Sequence, residues 1–135
     1  MALPLSANLI VCSEVLVEEK TTLLSAIRMM SSITILRHES HVHIWSIVFV
    51  SSIPGDHDRH RMLVTMTGPD SVIVASAEAS EFEYGYKVDP TGNGGFSLRT
   101  EFNVEVSRIP ASGTYWMNAH VDGHLVARTP VTLRR

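Results

Sequence analysis

The fold is decided by the stretch Gly113-Thr-Tyr-Trp-Met-Asn-Ala-His-Val-Asp-Gly-His-Leu-Val-Ala-Arg-Thr-Pro-Val-Thr-Leu133. Asp122-Gly123 is its turn signal, because an Asp-Gly pair favours the backbone of a tight hairpin turn. The odd positions on both sides of this turn carry apolar residues, namely Tyr115, Met117, Ala119, Val121, Leu125, Ala127, Val131 and Leu133. Since side chains alternate between the two faces of a strand, this stretch predicts a β-hairpin with one buried face.

The length of the hairpin loop decides which residues of the two strands face each other. A two-residue Asp-Gly loop would pair odd with even positions and mix the two faces. A three-residue loop over 121–123, built as a type I turn with the glycine in the left-handed bulge position, pairs odd with odd and is therefore predicted. This loop places His120 opposite His124 and Trp116 opposite Arg128.

The even positions of the hairpin form the candidate binding surface. Trp116 interrupts an otherwise polar face and is placed to stack on Arg128. Tryptophan and arginine are enriched among the residues that dominate protein interfaces. The predicted partner-binding patch consists of Trp116, Asn118, His120, His124 and Arg128. The alternative is that a neighbouring strand or loop covers the tryptophan.

Length and composition restrict the class of protein. A chain of 135 residues fits one domain, 1–135, and is long enough to bury a core. With 44% hydrophobic and 19% charged residues, the chain has the composition of a globular protein rather than a disordered one. The net charge of −3 argues against nucleic acid as a partner, because such binding is driven by clustered lysine and arginine.

No targeting signal is expected from this sequence. The first residues carry no positive charge, so no signal peptide is expected, and no apolar run approaches the length of about 18 residues that a membrane span needs. Cys12 is the only cysteine, which excludes an internal disulfide and fits a reducing compartment. The expected location is the cytoplasm, with no membrane partner.

Upstream of the hairpin, short apolar runs alternate with glycine and proline turns, and no long helix is indicated. The predicted strands cover about 8–17, 20–26, 41–50, 59–67, 72–75, 81–84 and 96–106. Together with the hairpin they predict an all-β fold, an antiparallel immunoglobulin-like β-sandwich of about eight strands. In 59–67, Met62, Val64 and Met66 share one face, and the other face carries Arg59, Arg61, Thr65 and Thr67.

The conformation of residues 21–37 is left open by the sequence. Leu23, Ile27 and Met30 have helical spacing, whereas the β-branched residues of the same segment favour strands. We expect a strand up to Ala26 and irregular or short helical structure after it.

Four segments of the chain occur in an order typical of one family. They are Asn8-Leu-Ile-Val-Cys12, Lys20-Thr-Thr-Leu-Leu24, the turn at Thr67-Gly-Pro-Asp70, and the hairpin from Ser112-Gly-Thr-Tyr115 to Pro130-Val-Thr-Leu133. In these segments the chain resembles a small bacterial and phage-associated immunoglobulin-like β-sandwich family of unknown function. The resemblance spans nearly the whole chain and implies the fold, but no activity and no catalytic residues. It adds a virion-associated location if the protein is encoded by a phage.

Histidine pairs provide an alternative to a protein-binding surface. His41 and His43 share a strand face, and His120 and His124 flank the turn, so the alternative function is a small-ligand or metal-binding module. If strand 41–50 paired with strand 59–67, His43 and His60 would lie about 20 Å apart, too far for one metal. We therefore predict no metal site and no cofactor.

Catalytic motifs are not found. There is no Gly-x-Ser-x-Gly elbow, and the glycine-rich segment 87–95 lacks the Gly-Lys-Ser/Thr of a phosphate-binding loop. The carboxylate pairs Glu81/Glu83 and Asp56/Asp58 fit solvated segments, and Cys12 fits a buried small hydrophobe. The prediction is a protein that is not an enzyme. It would be an interaction or structural module that binds another protein or itself, as a homo-oligomer or an accessory component of a larger particle.

Overall fold

A computed structural model describes residues 7–17, 19, 24–51, 59–77, 80–82 and 95–135. These residues form strands and one short 3-10 helix, which confirms the all-β prediction. The strands are β1 (Ala7–Val17), β2 (Leu24–Met29), β3 (Ser32–Thr34), β4 (His41–Ser51), β5 (His60–Thr67), β6 (Ile73–Ser76), β7 (Ser80–Phe82), β8 (Gly95–Glu105), β9 (Gly113–Val121) and β10 (His124–Arg134). The helix, η1, spans Val106–Arg108.

Two sheets form the sandwich. The first sheet has the strand order β2-β1-β4-β8. The second sheet has the order β3-β10-β9-β5, and both β6 and β7 pair with the remaining edge of β5. Neighbouring strands are antiparallel except for β3, which runs parallel to β10. Of the ten strands in the described residues, the one without a predicted counterpart is the three-residue strand β3.

The core lies between the sheets and is built from alternate positions of the central strands. Its fully buried members include Ile44 and Val48 of β4, Met62 and Met66 of β5, and Tyr115, Met117 and Val121 of β9. Burying one such side chain stabilises the fold by about 1.5–3 kcal/mol. Met62, Val64 and Met66, which were predicted to share one face, all lie on the inner face.

Strand β4 is apolar on both faces because both of its faces are covered. It is central in the first sheet, where it pairs with β1 and β8. Its outward residues Trp45 and Ile47 pack with Cys12 and Val15 of β1 in a second, smaller cluster. Cys12 is completely buried there, which confirms its prediction as a small hydrophobe.

The hypothesis that 41–50 pairs with 59–67 is wrong. Strand β4 lies in the first sheet and β5 in the second, so the chain crosses between sheets after residue 51. His43 and His60 are separated by this crossing rather than by an offset along one strand pair. The predicted loops at 51–58 and 87–95, with Asp56 and Asp58, fall largely outside the described residues, as do residues 20–23 and 83–84 of the predicted strands.

The expectation of irregular or helical structure after Ala26 is also wrong. Residues 24–29 pair antiparallel with β1, and 32–34 pair parallel with the end of β10. Between the two strands, the N–H of Met30 donates to the carbonyl of Val11 at 2.9 Å. Within β2, Arg28 has a φ of 54°, a left-handed conformation, and it falls between the pairs Glu14–Ile27 and Cys12–Met29. Pairing with β1 and with the distant β10 overrides the helical spacing here.

Tyr115 ties the start of β9 to the segment before it. Its hydroxyl donates to the carbonyl oxygen of Ala111 at 2.8 Å, within the sequence Ala111-Ser-Gly-Thr-Tyr115. A tyrosine that bonds back to the backbone a few residues upstream is the tyrosine corner found in Greek-key sandwiches. Burial raises the pKa of Tyr115 and Asp70 adds to this, while the bond to Ala111 and the charge of Arg135 act against it; the net shift is upward.

Candidate binding groove

The hairpin turn has two residues, not three. Val121 pairs with His124, and Asp122 and Gly123 between them have φ angles of 51° and 83°. Positive φ at both central positions identifies a type I′ turn, which Asp-Gly favours because its twist matches that of the strands. The prediction of a three-residue loop is therefore wrong.

A bulge in β10 restores the pairing that the turn alone would have mixed. Leu125 pairs with His120 and Ala127 pairs with Ala119, so Val126 is the extra residue. Beyond the bulge odd positions pair with odd positions, as predicted, but two residues out of the predicted register. Asn118 pairs with Arg128, and Trp116 pairs with Pro130. The predicted oppositions His120–His124 and Trp116–Arg128 are accordingly wrong.

Most of the predicted patch still comes together on one surface. Trp116, Asn118, His120 and Arg128 share the outer face of the second sheet, because they occupy the positions between the buried residues. The guanidinium carbon of Arg128 lies 4.0 Å from the centroid of the Trp116 ring, so the two stack as diagonal neighbours. His124 does not join them. It pairs with the buried Val121 and so belongs to the other face of the hairpin.

This outer face contains a groove of about 960 Å³. Its base is formed by β5, β9 and β10, and Ile73 and Ala77 lie along the β6 side. The residues that define its chemistry are Arg61, Leu63, Thr65, Asn118, His120 and Arg128. Arg61, Thr65 and Thr67 were assigned to this face from the sequence. Leu63 was not, although its odd position between Met62 and Val64 already indicated it.

A hydrogen-bonded row crosses the base of the groove. The side-chain amide of Asn118 donates to the hydroxyl oxygens of Thr65 (3.4 Å) and Thr67 (3.2 Å), and to the carbonyl of Trp116 (3.2 Å). Asn118 is 6% exposed and Thr65 is 4% exposed. These bonds hold the Asn118 side chain in one orientation, with its carbonyl oxygen making no hydrogen bond to the residues that the structure describes.

The hairpin turn lines the groove through Asp122 and Gly123, and His60 holds Asp122 in place. Nδ1 of His60 lies 2.7 Å from Oδ2 of Asp122, and Oδ1 of Asp122 accepts from the N–H of Arg61 at 2.9 Å. Burial raises the pKa of Asp122, but hydrogen bonds from His60 and Arg61 and the charges of His60 and His124 outweigh it, so the pKa is lowered. The His60 ring also packs against Phe82, with centroids 5.5 Å apart. Apart from the turn at Asp122, no sequence pattern indicated this pair.

Three polar groups of the groove lack partners in the part of the chain that the structure describes. The guanidinium groups of Arg61 and Arg128 form no ion pair or hydrogen bond there, apart from the contact of Arg128 with Trp116. Nδ1 of His120 is buried and has no hydrogen-bond partner. Arg61 and Arg128 are exposed, so both guanidinium groups are accessible to a ligand. Buried polar atoms are normally satisfied, which makes Nδ1 of His120 an exception in this fold.

The histidine pairs do not converge on a metal site. Nδ1 of His41 lies 3.0 Å from the hydroxyl of Ser40, and Nδ1 of His43 lies 3.3 Å from Oε1 of Glu101. Within residues 7–17, 24–51, 59–77, 80–82 and 95–135, no three histidine, cysteine or acidic side chains are grouped to hold an ion. No helix in this described part is long and apolar enough to cross a membrane.

Comparisons with known proteins show the fold alone. No protein-family model matches the chain, and no curated protein is similar to it in sequence. An alkylpurine DNA glycosylase from Pseudomonas fluorescens, solved with DNA containing an abasic site analogue, matches 94% of this chain and 30% of its own, with a TM-score of 0.53 and 10% identity. A bacterial adhesin from Mobiluncus mulieris, with intramolecular disulfide, isopeptide and ester cross-links, matches 96% of this chain and 57% of its own, with a TM-score of 0.54 and 7% identity. This chain thus spans less than two thirds of either protein.

Proposed function

We propose that this chain is a non-catalytic, immunoglobulin-like interaction module that binds another protein through the outer face of its second sheet. The observation that carries the proposal is the stack of Trp116 and Arg128, 4.0 Å apart, beside a groove of about 960 Å³. The tyrosine corner at Tyr115 supports the immunoglobulin-like part of the proposal.

The composition of the face fits protein recognition. Tryptophan and arginine contribute disproportionately to binding energy when they lie near the centre of an interface. Here the indole holds the guanidinium in place, and Asn118 is fixed by its three hydrogen bonds. Side chains that are ordered before binding lose less conformational entropy on association, which strengthens binding. The ordered side chains of this face therefore favour binding of a partner protein.

The proposal is tested by replacing Trp116 with alanine. The matched control is Trp45→Ala, since Trp45 is also a partly buried tryptophan but lies on the outer face of the first sheet. Untagged proteins are compared by light scattering for native mass and by capture of partners from the native host. We expect Trp116→Ala to lose the captured partner, or the assembled mass, while Trp45→Ala retains it and both variants keep a cooperative thermal transition. Equal capture by wild type and Trp116→Ala would remove this face from the proposal.

A further inference from the structure

We infer that the groove takes an extended acidic segment of a partner protein, with two carboxylates that pair with Arg61 and Arg128. The inference rests on the proposed function and names the chemistry of the partner. It is drawn from the charges, the free hydrogen-bonding groups and the spacing of the groove.

The charge of the groove is unbalanced. Two guanidinium groups, of Arg61 and Arg128, line it and form no ion pair with any residue the structure describes. Asp122 is the one carboxylate among the described lining residues, and both of its oxygens are already engaged, by His60 and by the N–H of Arg61. The outward-facing charge is therefore positive, although the whole chain is net negative at −3. A ligand with negative charges complements this groove.

The geometry of Arg128 selects a carboxylate in particular. Its guanidinium carbon lies over the Trp116 ring, 4.0 Å from the ring centroid, and the group has no ion pair or hydrogen bond with the residues that the structure describes, so its N–H groups remain available to a ligand. A planar guanidinium held in this way presents two parallel donors, which match the two oxygens of a carboxylate. A lysine at position 128 would not offer two parallel donors. An uncharged amide on the ligand would form weaker hydrogen bonds with the guanidinium than a carboxylate does.

The spacing of the two arginines sets the spacing of the ligand's charges. Arg61 lies beside Asp122, and Arg128 pairs with Asn118, so the two are four positions apart as measured along β9. At about 3.3 Å per residue this is roughly 13 Å, with a sideways offset of two strand spacings, or about 10 Å. The two backbone positions are therefore about 16 Å apart, which an extended peptide lying obliquely across the face covers in about five residues. Two positions four apart span about 13 Å, and the long arginine and glutamate side chains cover the remaining distance of about 3 Å. Acidic residues at positions i and i+4 of such a peptide point to the same side.

Polar groups between the two arginines are placed to meet the peptide backbone. His120 lies in the row between them and lines the groove, with its side chain partly exposed. The carbonyl oxygen of Asn118 makes no hydrogen bond to the residues that the structure describes and can accept from a peptide N–H. Leu63 and Leu125 flank His120 and would contact an apolar side chain of the ligand.

A second copy of the chain is the competing occupant. Glu101 and Glu105 are four positions apart on the exposed face of the edge strand β8 and have the required spacing. Both are engaged within their own chain, however. Glu101 lies 3.3 Å from His43, and Glu105 accepts from the hydroxyl of Ser107 at 3.4 Å. A partner segment with unengaged carboxylates is therefore favoured.

The experiment measures binding of labelled ten-residue peptides by fluorescence anisotropy. The probe carries two glutamates four positions apart in a threonine–valine background. Its controls carry glutamines at the same positions, or glutamates three positions apart, which point to opposite sides.

The protein variants are Arg61→Gln, Arg128→Gln and, as the matched loss of charge on the first sheet, Arg99→Gln. We expect each groove variant to raise the Kd about tenfold or more, because each removes a charged hydrogen bond. Arg99→Gln should leave the Kd unchanged, and added salt should weaken binding.

Three results would overturn the inference. Equal binding of the glutamate and glutamine peptides would reject an acidic ligand; loss of partner capture by Trp116→Ala would then leave the proposed function standing. A fall in native mass caused alike by Arg128→Gln and Glu101→Gln would identify a second copy as the occupant. If neither peptide binding nor partner capture depends on this face, the inference and the proposed function fail together.

Discussion

His60 and Asp122 form a hydrogen-bonded pair, with Nδ1 and Oδ2 2.7 Å apart, across 62 positions of sequence. The pair fastens the first residue of β5 to the turn between β9 and β10. Two backbone contacts reinforce it, because Arg61 donates to Oδ1 of Asp122 and the N–H of Asp122 donates to the carbonyl of Arg61. The turn of the hairpin is therefore held in place by β5, and the part of the groove that it lines is fixed with it.

Replacing Asp122 with asparagine should make the free energy of unfolding depend less on pH in the acidic range. The pKa of Asp122 is lowered from its ordinary value of 3.8, so its charged form stabilises the fold fully above that pH. This contribution is lost as the pH falls through the lowered pKa. We expect Asp122→Asn to cost about 2 kcal/mol of unfolding free energy at neutral pH, and the difference from wild type to shrink below pH 3.8. Urea unfolding measured from pH 7 down to pH 2 checks this.

Asparagine is the suitable replacement because Asn-Gly also forms type I′ turns, so the turn itself is retained. Glu14→Gln on β1 serves as the control, since Glu14 is exposed and far from the turn. A constant difference between Asp122→Asn and wild type at all pH values would show that the carboxylate charge plays no part.

Gly123→Ala should destabilise the hairpin through the backbone alone. Gly123 has a φ of +83°, and a Cβ built there meets no atom within 4 Å. The cost is therefore conformational rather than steric contact with neighbours, and we expect about 1–2 kcal/mol. Gly123→Asn should cost less, because asparagine tolerates the left-handed region better. Thermal or urea unfolding of the two variants ranks them; an alanine variant as stable as wild type would contradict the turn geometry.

Alternation of apolar residues predicts which side of each hairpin strand is buried, and this is confirmed for Tyr115, Met117 and Val131. The register could not be obtained in the same way. A three-residue loop, and a two-residue turn followed by a bulge at Val126, give the same alternation beyond the bulge. The choice between them depends on the positive φ of Asp122 and on its contacts with β5, which a local pattern does not contain.

The two faces that form the groove could be predicted from the sequence, but their adjacency could not. The polar face of 59–67 and the even face of the hairpin were each visible, but nothing placed them side by side. Strand 59–67 follows 41–51 in the chain, and consecutive strands are usually neighbours. Here β5 crosses to the other sheet and pairs with β9. Because the His60–Asp122 pair exists only through that pairing, it could not be foreseen.

Tyr115→Phe should remove one hydrogen bond while keeping the buried ring. The lost bond, to the carbonyl of Ala111 at 2.8 Å, fixes the segment that enters β9. A typical hydrogen bond contributes about 1 kcal/mol net, and we expect a loss of that size in urea unfolding. Thr114→Val, on the exposed side of the same strand, should change stability by less than about 0.5 kcal/mol. A phenylalanine variant indistinguishable from wild type would mean that the corner contributes no stability.

Two alanine substitutions on β4 test the division between the inner and outer faces. Ile44 is completely buried between the sheets, and Phe49, five positions later, points outward and is 41% exposed. Ile44→Ala leaves a cavity in the core and should cost about 2–5 kcal/mol. Phe49→Ala removes a larger side chain but leaves no enclosed void, and it should cost about 1 kcal/mol or less. Urea unfolding at neutral pH measures both. Because the larger truncation is predicted to have the smaller effect, the reverse order would place the wrong face of β4 in the core and would contradict the sandwich.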